Sequence, residues 1–92
     1  MISSTVYDRA EGIVVRPVQD GLMIHDPRAD AAVVLNASAA RVWEAALAAT
    51  SSDEVVDRVA EIYGVDAEVV RKEVEATVRR LVRDGLLRRC ER

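Results

Sequence analysis

Apolar positions along this chain follow two rhythms. Up to residue 35 they come as short β-branched runs separated by turn chemistry; after residue 36 they recur three or four apart. Ile13, Val14 and Val15 form the first run, which ends at Pro17, a residue that a central strand would not tolerate. Gln19-Asp20-Gly21 follows as a turn, with glycine expected to supply a positive φ. Leu22 to His25 is the second strand, Asp26-Pro27-Arg28-Ala29-Asp30 the next turn, and Ala31 to Leu35 the third strand. Two short connections imply a three-stranded antiparallel meander. So small a sheet is not stable alone, so one of its faces needs a cover.

The second rhythm supplies that cover. Asn36 or Ser38 caps a first helix whose apolar stripe is Ala39, Val42, Trp43, Ala46 and Leu47. Thr50-Ser51-Ser52 breaks it, and Ser51 or Ser52 caps a second helix; with Ser51 as cap, Glu54 stands at capping-box spacing. Val55, Val59 and Ile62, with Val56 and Tyr63 beside them, are expected to face inward, and Gly64 is a C-terminal stop. Asp66 is read as the cap of a long third helix that runs to about Asp84 and closes at Gly85. Its stripe is Ala67, Val70, Val74, Val78 and Leu81, and Leu86 and Leu87 then fold back onto the core. The predicted class is α+β, winged helix-turn-helix-like: a three-stranded antiparallel β-meander followed by three α-helices. Residues 1–12 are read as a flexible arm, 13–88 as the domain, and 89–92 as a C-terminal tail.

Composition changes this picture in a few places. Ninety-two residues make one domain, and a chain without Phe has an aliphatic core in which Trp43 is the expected aromatic anchor. The net charge of −3 argues against a nucleic-acid binder, because such domains usually carry a basic surface. No apolar run approaches the roughly 18 residues needed to span a bilayer, and no signal stretch opens the chain. The expected setting is the cytoplasm, with no membrane partner.

Candidate chemistry is sparse. Cys90 stands alone, so neither a disulfide frame nor a thiolate metal cluster is expected; it is read as an incidental thiol on the tail. His25, the single histidine, has no second ligand at metal-binding spacing. No nucleophile–base set, phosphate loop or paired-carboxylate pattern occurs. No enzyme, no cofactor and no metal is therefore expected.

Three stretches resemble a known family. Val34-Leu35-Asn36-Ala37-Ser38-Ala39-Ala40-Arg41-Val42-Trp43 is similar to its L-N-x-(S/T)-(A/G)-x-x-(I/V)-W segment. Ser52-Asp53-Glu54-Val55 through Ile62-Tyr63-Gly64-Val65-Asp66 follows at similar spacing, and Leu81-Val82-Arg83-Asp84-Gly85-Leu86-Leu87 resembles its closing L-x-x-x-G-L-(L/I). The family is the PqqD-like one, peptide-recognition elements of ribosomal peptide natural-product pathways, and the resemblance covers about residues 13 to 88. It implies a winged-helix-like fold that binds the leader segment of a precursor peptide as a strand added to the third β-strand, against the third helix. Carried onto this chain, the peptide-binding residues are Ala31, Ala32, Val33, Val34 and Leu35 on the strand. On the helix they are Val70, Arg71, Val74, Thr77, Val78 and Leu81. An exposed strand edge suits this independently, since its unpaired N–H and C=O groups accept an extended peptide. The stand-alone, Ala- and Arg-rich chain looks most like the recognition protein of a lasso-peptide cluster, which implies a leader peptidase and a cyclase or other modifying enzyme as partners. Two rival readings stand beside this one: a small winged-helix DNA-binding regulator, and an adaptor that forms a homodimer through its exposed sheet edge.

Overall fold

A computed structural model describes residues 5–28 and 30–91. Eight elements follow one another: β1 (Thr5–Arg9), β2 (Val14–Val18), β3 (Gly21–Asp26), β4 (Ala31–Leu35), α1 (Ala37–Ala48), α2 (Ser52–Tyr63), α3 (Ala67–Arg83) and β5 (Leu87–Glu91). β2, β3 and β4 form an antiparallel sheet in that order, and the three helices follow it, as the two rhythms predict. The register Leu22↔Leu35, Ile24↔Val33 and Val15↔Ile24 stacks those side chains on one face. Ile24 and Leu35 on that face are buried, and α1 packs against it. The alternate positions, among them Val14, Met23, His25 and Val34, point away from the helices.

The ends of the chain differ from expectation. Thr5–Arg9, expected within a loose arm, pairs antiparallel with Leu87–Glu91, part of which was read as a tail, and the two make a second, two-stranded sheet. The reason is burial: Tyr7 and Leu87 are both core residues, and fixing them on the helices brings their strands together. Asp8 Oδ2 lies 3.7 Å from Arg88 and accepts from Cys90 Sγ at 3.2 Å, so Cys90 sits on a strand rather than on a frayed tail. Residues 1–4 of the expected arm and Arg92 of the expected tail lie outside the described residues.

Local devices set the elements. Asn36 caps α1, its Oδ1 accepting from the Ala39 N–H at 2.9 Å. Ser51 caps α2 by accepting from the Glu54 N–H, while the Glu54 carboxylate reaches back to the N–H and hydroxyl of Thr50, one residue earlier than a reciprocal capping box would place it. Gly64 (φ +67°) and Gly85 (φ +79°) end α2 and α3 in left-handed turns, with Val65 N–H on the Ala60 carbonyl and Leu86 N–H on that of Leu81. Asp66 occupies the cap position of α3 but makes no side-chain cap bond, contrary to expectation. The positive φ of the β2–β3 turn falls on Gln19, not Gly21. Position 21 is restricted instead by close approach, because a Cβ there would stand 2.0 Å from the Leu35 carbonyl oxygen. Pro17 does not end β2 but lies within it, which an edge strand allows.

Trp43 is the anchor expected of it: its ring is buried, and Nε1–H donates to the Leu86 carbonyl at 3.1 Å, tying α1 to the turn that launches β5. On α2 the buried stripe is Val55, Val56, Val59 and Ala60. Ile62 and Tyr63, expected inward, are about half exposed because the last turn of α2 extends past its packing partners.

Candidate peptide-binding site

β4 is an edge strand. Among the described residues it pairs with β3 alone, and its other side offers backbone N–H and C=O groups with no strand among them to receive these. Its side chains alternate across the sheet: Leu35 is buried and Val33 half-buried against the core, while Ala32 and Val34 stand outside, Val34 at 67% exposure. Ala31 is exposed at the strand's start. The five expected strand residues thus share one free backbone edge, with Val33 and Leu35 turned inward, Ala32 and Val34 outward, and Ala31 exposed at the start.

The six expected helix residues divide too. α3 packs on α2, α1 and β5, whereas β4 packs on β3 and α1, so strand and helix are not main packing partners of one another. Beyond the end of β4 lies a cleft of about 230 Å³, with Ser38 at its near rim and Val42, Val59, Val70, Val74 and Thr77 along its walls. Tyr63 and Glu73 complete the far side. Val70, Val74 and Thr77 are therefore brought to one cleft. Leu81, fully buried, and Val78, nearly so, belong to the core.

Arg71 faces the other flank of α3, where three carboxylates engage it: Glu68 at 2.8 Å, Asp53 at 3.2 Å and Glu75 at 3.8 Å. The hydrogen bonds from Glu68 and Asp53 hold the guanidinium further toward its charged form than usual. The expectation of Arg71 in a groove beside Val70 does not fit this placement, for adjacent helix positions lie about 100° apart.

Val42 and Val59 are core, as expected, and also wall the cleft; Ser38, which the sequence offers only as a helix cap, and Glu73 are the residues of the cleft that the sequence does not point to. One signal was available. The tight turn at Gly64 forces the end of α2 against the start of α3, so Tyr63 and Val70 must converge, with the opening turns of α1 beside them.

A protein-family model, Coenzyme PQQ synthesis protein D (PqqD), matches residues 21–87, which include the open strand and all three helices. The chain belongs to the PqqD family. Among solved structures this PqqD-family chain is similar in fold to TbiB1 in complex with the TbiA(beta) leader peptide, with a TM-score of 0.74, 21% identity, and coverage of 88% of this chain and 94% of that one. At that identity the likeness concerns the fold. No curated protein matches the chain. Among the described residues, no helix is long and apolar enough to cross a membrane.

Proposed function

We propose that this PqqD-family chain is a non-catalytic recognition protein for the leader segment of a ribosomally made precursor peptide. The leader adds as a strand along β4, residues Ala31 to Leu35, and sends side chains into the cleft walled by Val70, Val74 and Thr77. The observation that carries this reading is the pairing of an unprotected strand edge with an apolar cleft at its end. Backbone pairing supplies affinity that tolerates sequence, and the cleft selects an apolar side chain. Glu73 on the cleft favours a leader with a basic residue at that point, in place of the acidic one that Arg71 would have met. The bound leader is presented to a leader peptidase and to a cyclase or other modifying enzyme, in the cytoplasm. The fold of TbiB1, a protein seen in complex with a leader peptide, supports this assignment.

The test is a fluorescence-anisotropy titration against the leader half of a precursor peptide from a neighbouring reading frame and against a random DNA duplex. Saturable leader binding at about micromolar level, equivalent to roughly −8 kcal/mol, with none to the duplex, is the expected outcome. Duplex binding that falls steeply with salt, with no leader binding, would make the chain a small regulator instead.

A further inference from the structure

The solvent face of α3 carries a feature that leader binding leaves unused. Lys72, Arg79 and Arg83 recur seven and four residues apart, which aligns them along one outward stripe with Arg80 beside it, and all four are exposed. Arg89 on β5 continues the positive charge past the end of the helix. Among the described residues Lys72, Arg79, Arg80 and Arg89 take part in no ion pair, whereas Arg71, Arg83 and Arg88 each do. Glu73 and Glu75 are interleaved with these cations along α3, and Glu75 is drawn toward Arg71.

Two of these cations share a groove. Arg79 and Arg89 flank a depression of about 290 Å³ whose floor is Tyr7, Val55, Val74 and Val78. Register explains the arrangement: Tyr7 pairs with Arg89 across β1 and β5, so the two side chains leave the ribbon on the same face. Glu75 also lines the groove and shares Arg71, at 3.8 Å, with the closer Glu68 and Asp53, so Arg79 and Arg89 outweigh the groove's one carboxylate by a single charge. The groove opens on the flank of α3 away from Thr77 and Val70, and the buried Val74 lies beneath both depressions.

We propose that this groove docks an acidic segment of a partner protein, anchored by an apolar side chain on the Tyr7–Val55 floor and held by Arg79 and Arg89. An acidic polypeptide fits better than nucleic acid. The floor offers apolar contact that a phosphate backbone does not use. The inference stands apart from the leader reading, because it concerns the opposite flank of α3.

The probe is a short labelled peptide of alternating Asp, Glu and Leu, with a version carrying Ser for Leu and a random DNA duplex as comparisons. The Leu peptide is expected to bind more tightly than the Ser peptide and to weaken with salt. Arg79→Glu with Arg89→Glu weakens it by roughly tenfold or more, while Lys at both positions retains most of the affinity and Arg16→Glu, on the other sheet, leaves it unchanged. Circular dichroism verifies the fold of each variant, and saturating leader peptide leaves the binding in place. Equal affinity for the Ser peptide, tighter binding of the duplex, indifference to the charge reversals, or displacement by the leader would each overturn the proposal. Failure of the leader to bind at all would instead count against the leader reading and leave this measurement intact.

Discussion

The sheet of β2, β3 and β4 has two edges, and they are built differently. β2 reads Val14-Val15-Arg16-Pro17-Val18, with a charge and a proline in its middle. β4 reads Ala31-Ala32-Val33-Val34-Leu35, with neither. Both strands pair with β3, and among the described residues both leave one side open. Proline has no N–H to offer a neighbouring strand, and an edge arginine discourages pairing, so β2 carries two of the devices that proteins use to blunt an edge. β4 carries none and exposes Val34 besides. Two strands of equal length in one sheet thus differ in whether another strand can join them. An undefended edge is a hazard unless something is meant to occupy it, and the cleft beyond β4 gives an incoming chain a place to bury a side chain.

The most drastic way to break this comparison is to remove what both edges rest on. α1 packs under the sheet, and Trp43 holds α1 to the turn before β5. Trp43→Ala is expected to destabilise the protein by about 3–5 kcal/mol. Part of that comes from leaving the Leu86 carbonyl without its donor. Thermal melting followed by circular dichroism checks it; a midpoint unchanged from wild type would mean that the ring anchors nothing.

A finer break separates the edge from the strand. Along β4, successive residues turn their N–H groups to opposite sides, so of Val33 and Val34 one donates toward β3 and the other toward the free edge. Val33→Pro and Val34→Pro should therefore behave unequally. One loses a ladder hydrogen bond and melts markedly lower, whereas the other keeps the fold close to wild type and loses leader affinity, by about tenfold for a missing bond. Melting curves and leader titrations on the pair read both quantities. If the well-folded member binds leader as wild type does, strand addition at β4 is wrong. Proline at Val15 in β2 is the matching control and should leave leader affinity alone in whatever fraction folds.

How much of this was legible in the sequence depends on how local each cause is. The β-branched runs and the three-and-four spacing predict the meander and the helices, because each pattern is contained within its own element. β1 and β5 escaped because their partner strands lie at opposite ends of the chain, as Asp8 and Cys90 do, and only Tyr7 and Leu87 hint that either end is buried. The positive φ expected at Gly21 falls on Gln19, and what restricts Gly21, its close approach to the Leu35 carbonyl, is a tertiary fact. At the site, spacing puts Val70 and Val74 on one stripe of α3 together with Val78 and Leu81, which are core, and only the family resemblance adds Thr77. Spacing could not assign Arg71, whose direction is fixed by Asp53 on another helix.

The smallest expected effect sharpens the comparison by what it leaves alone. Glu54, at the start of α2, has its pKa lowered to about 2, chiefly because its carboxylate accepts from the Thr50 hydroxyl, with Arg58 and the Thr50 N–H adding to the same side. A carboxyl depressed in the folded state stabilises it above the ordinary value near 4.5, and that contribution is lost as pH falls toward about 2. Melting temperatures measured between pH 5 and pH 2.5 should drop more for wild type than for Glu54→Gln; equal drops would mean that this carboxylate has no part in the acid response. Neither edge of the sheet touches α2 as a main packing partner. At pH 7, where the carboxylate is fully charged, Glu54→Gln should lower the melting point slightly and leave leader affinity at the wild-type value. A change in leader affinity there would instead couple α2's first turn to β4, and the two edges would no longer differ by their own residues alone.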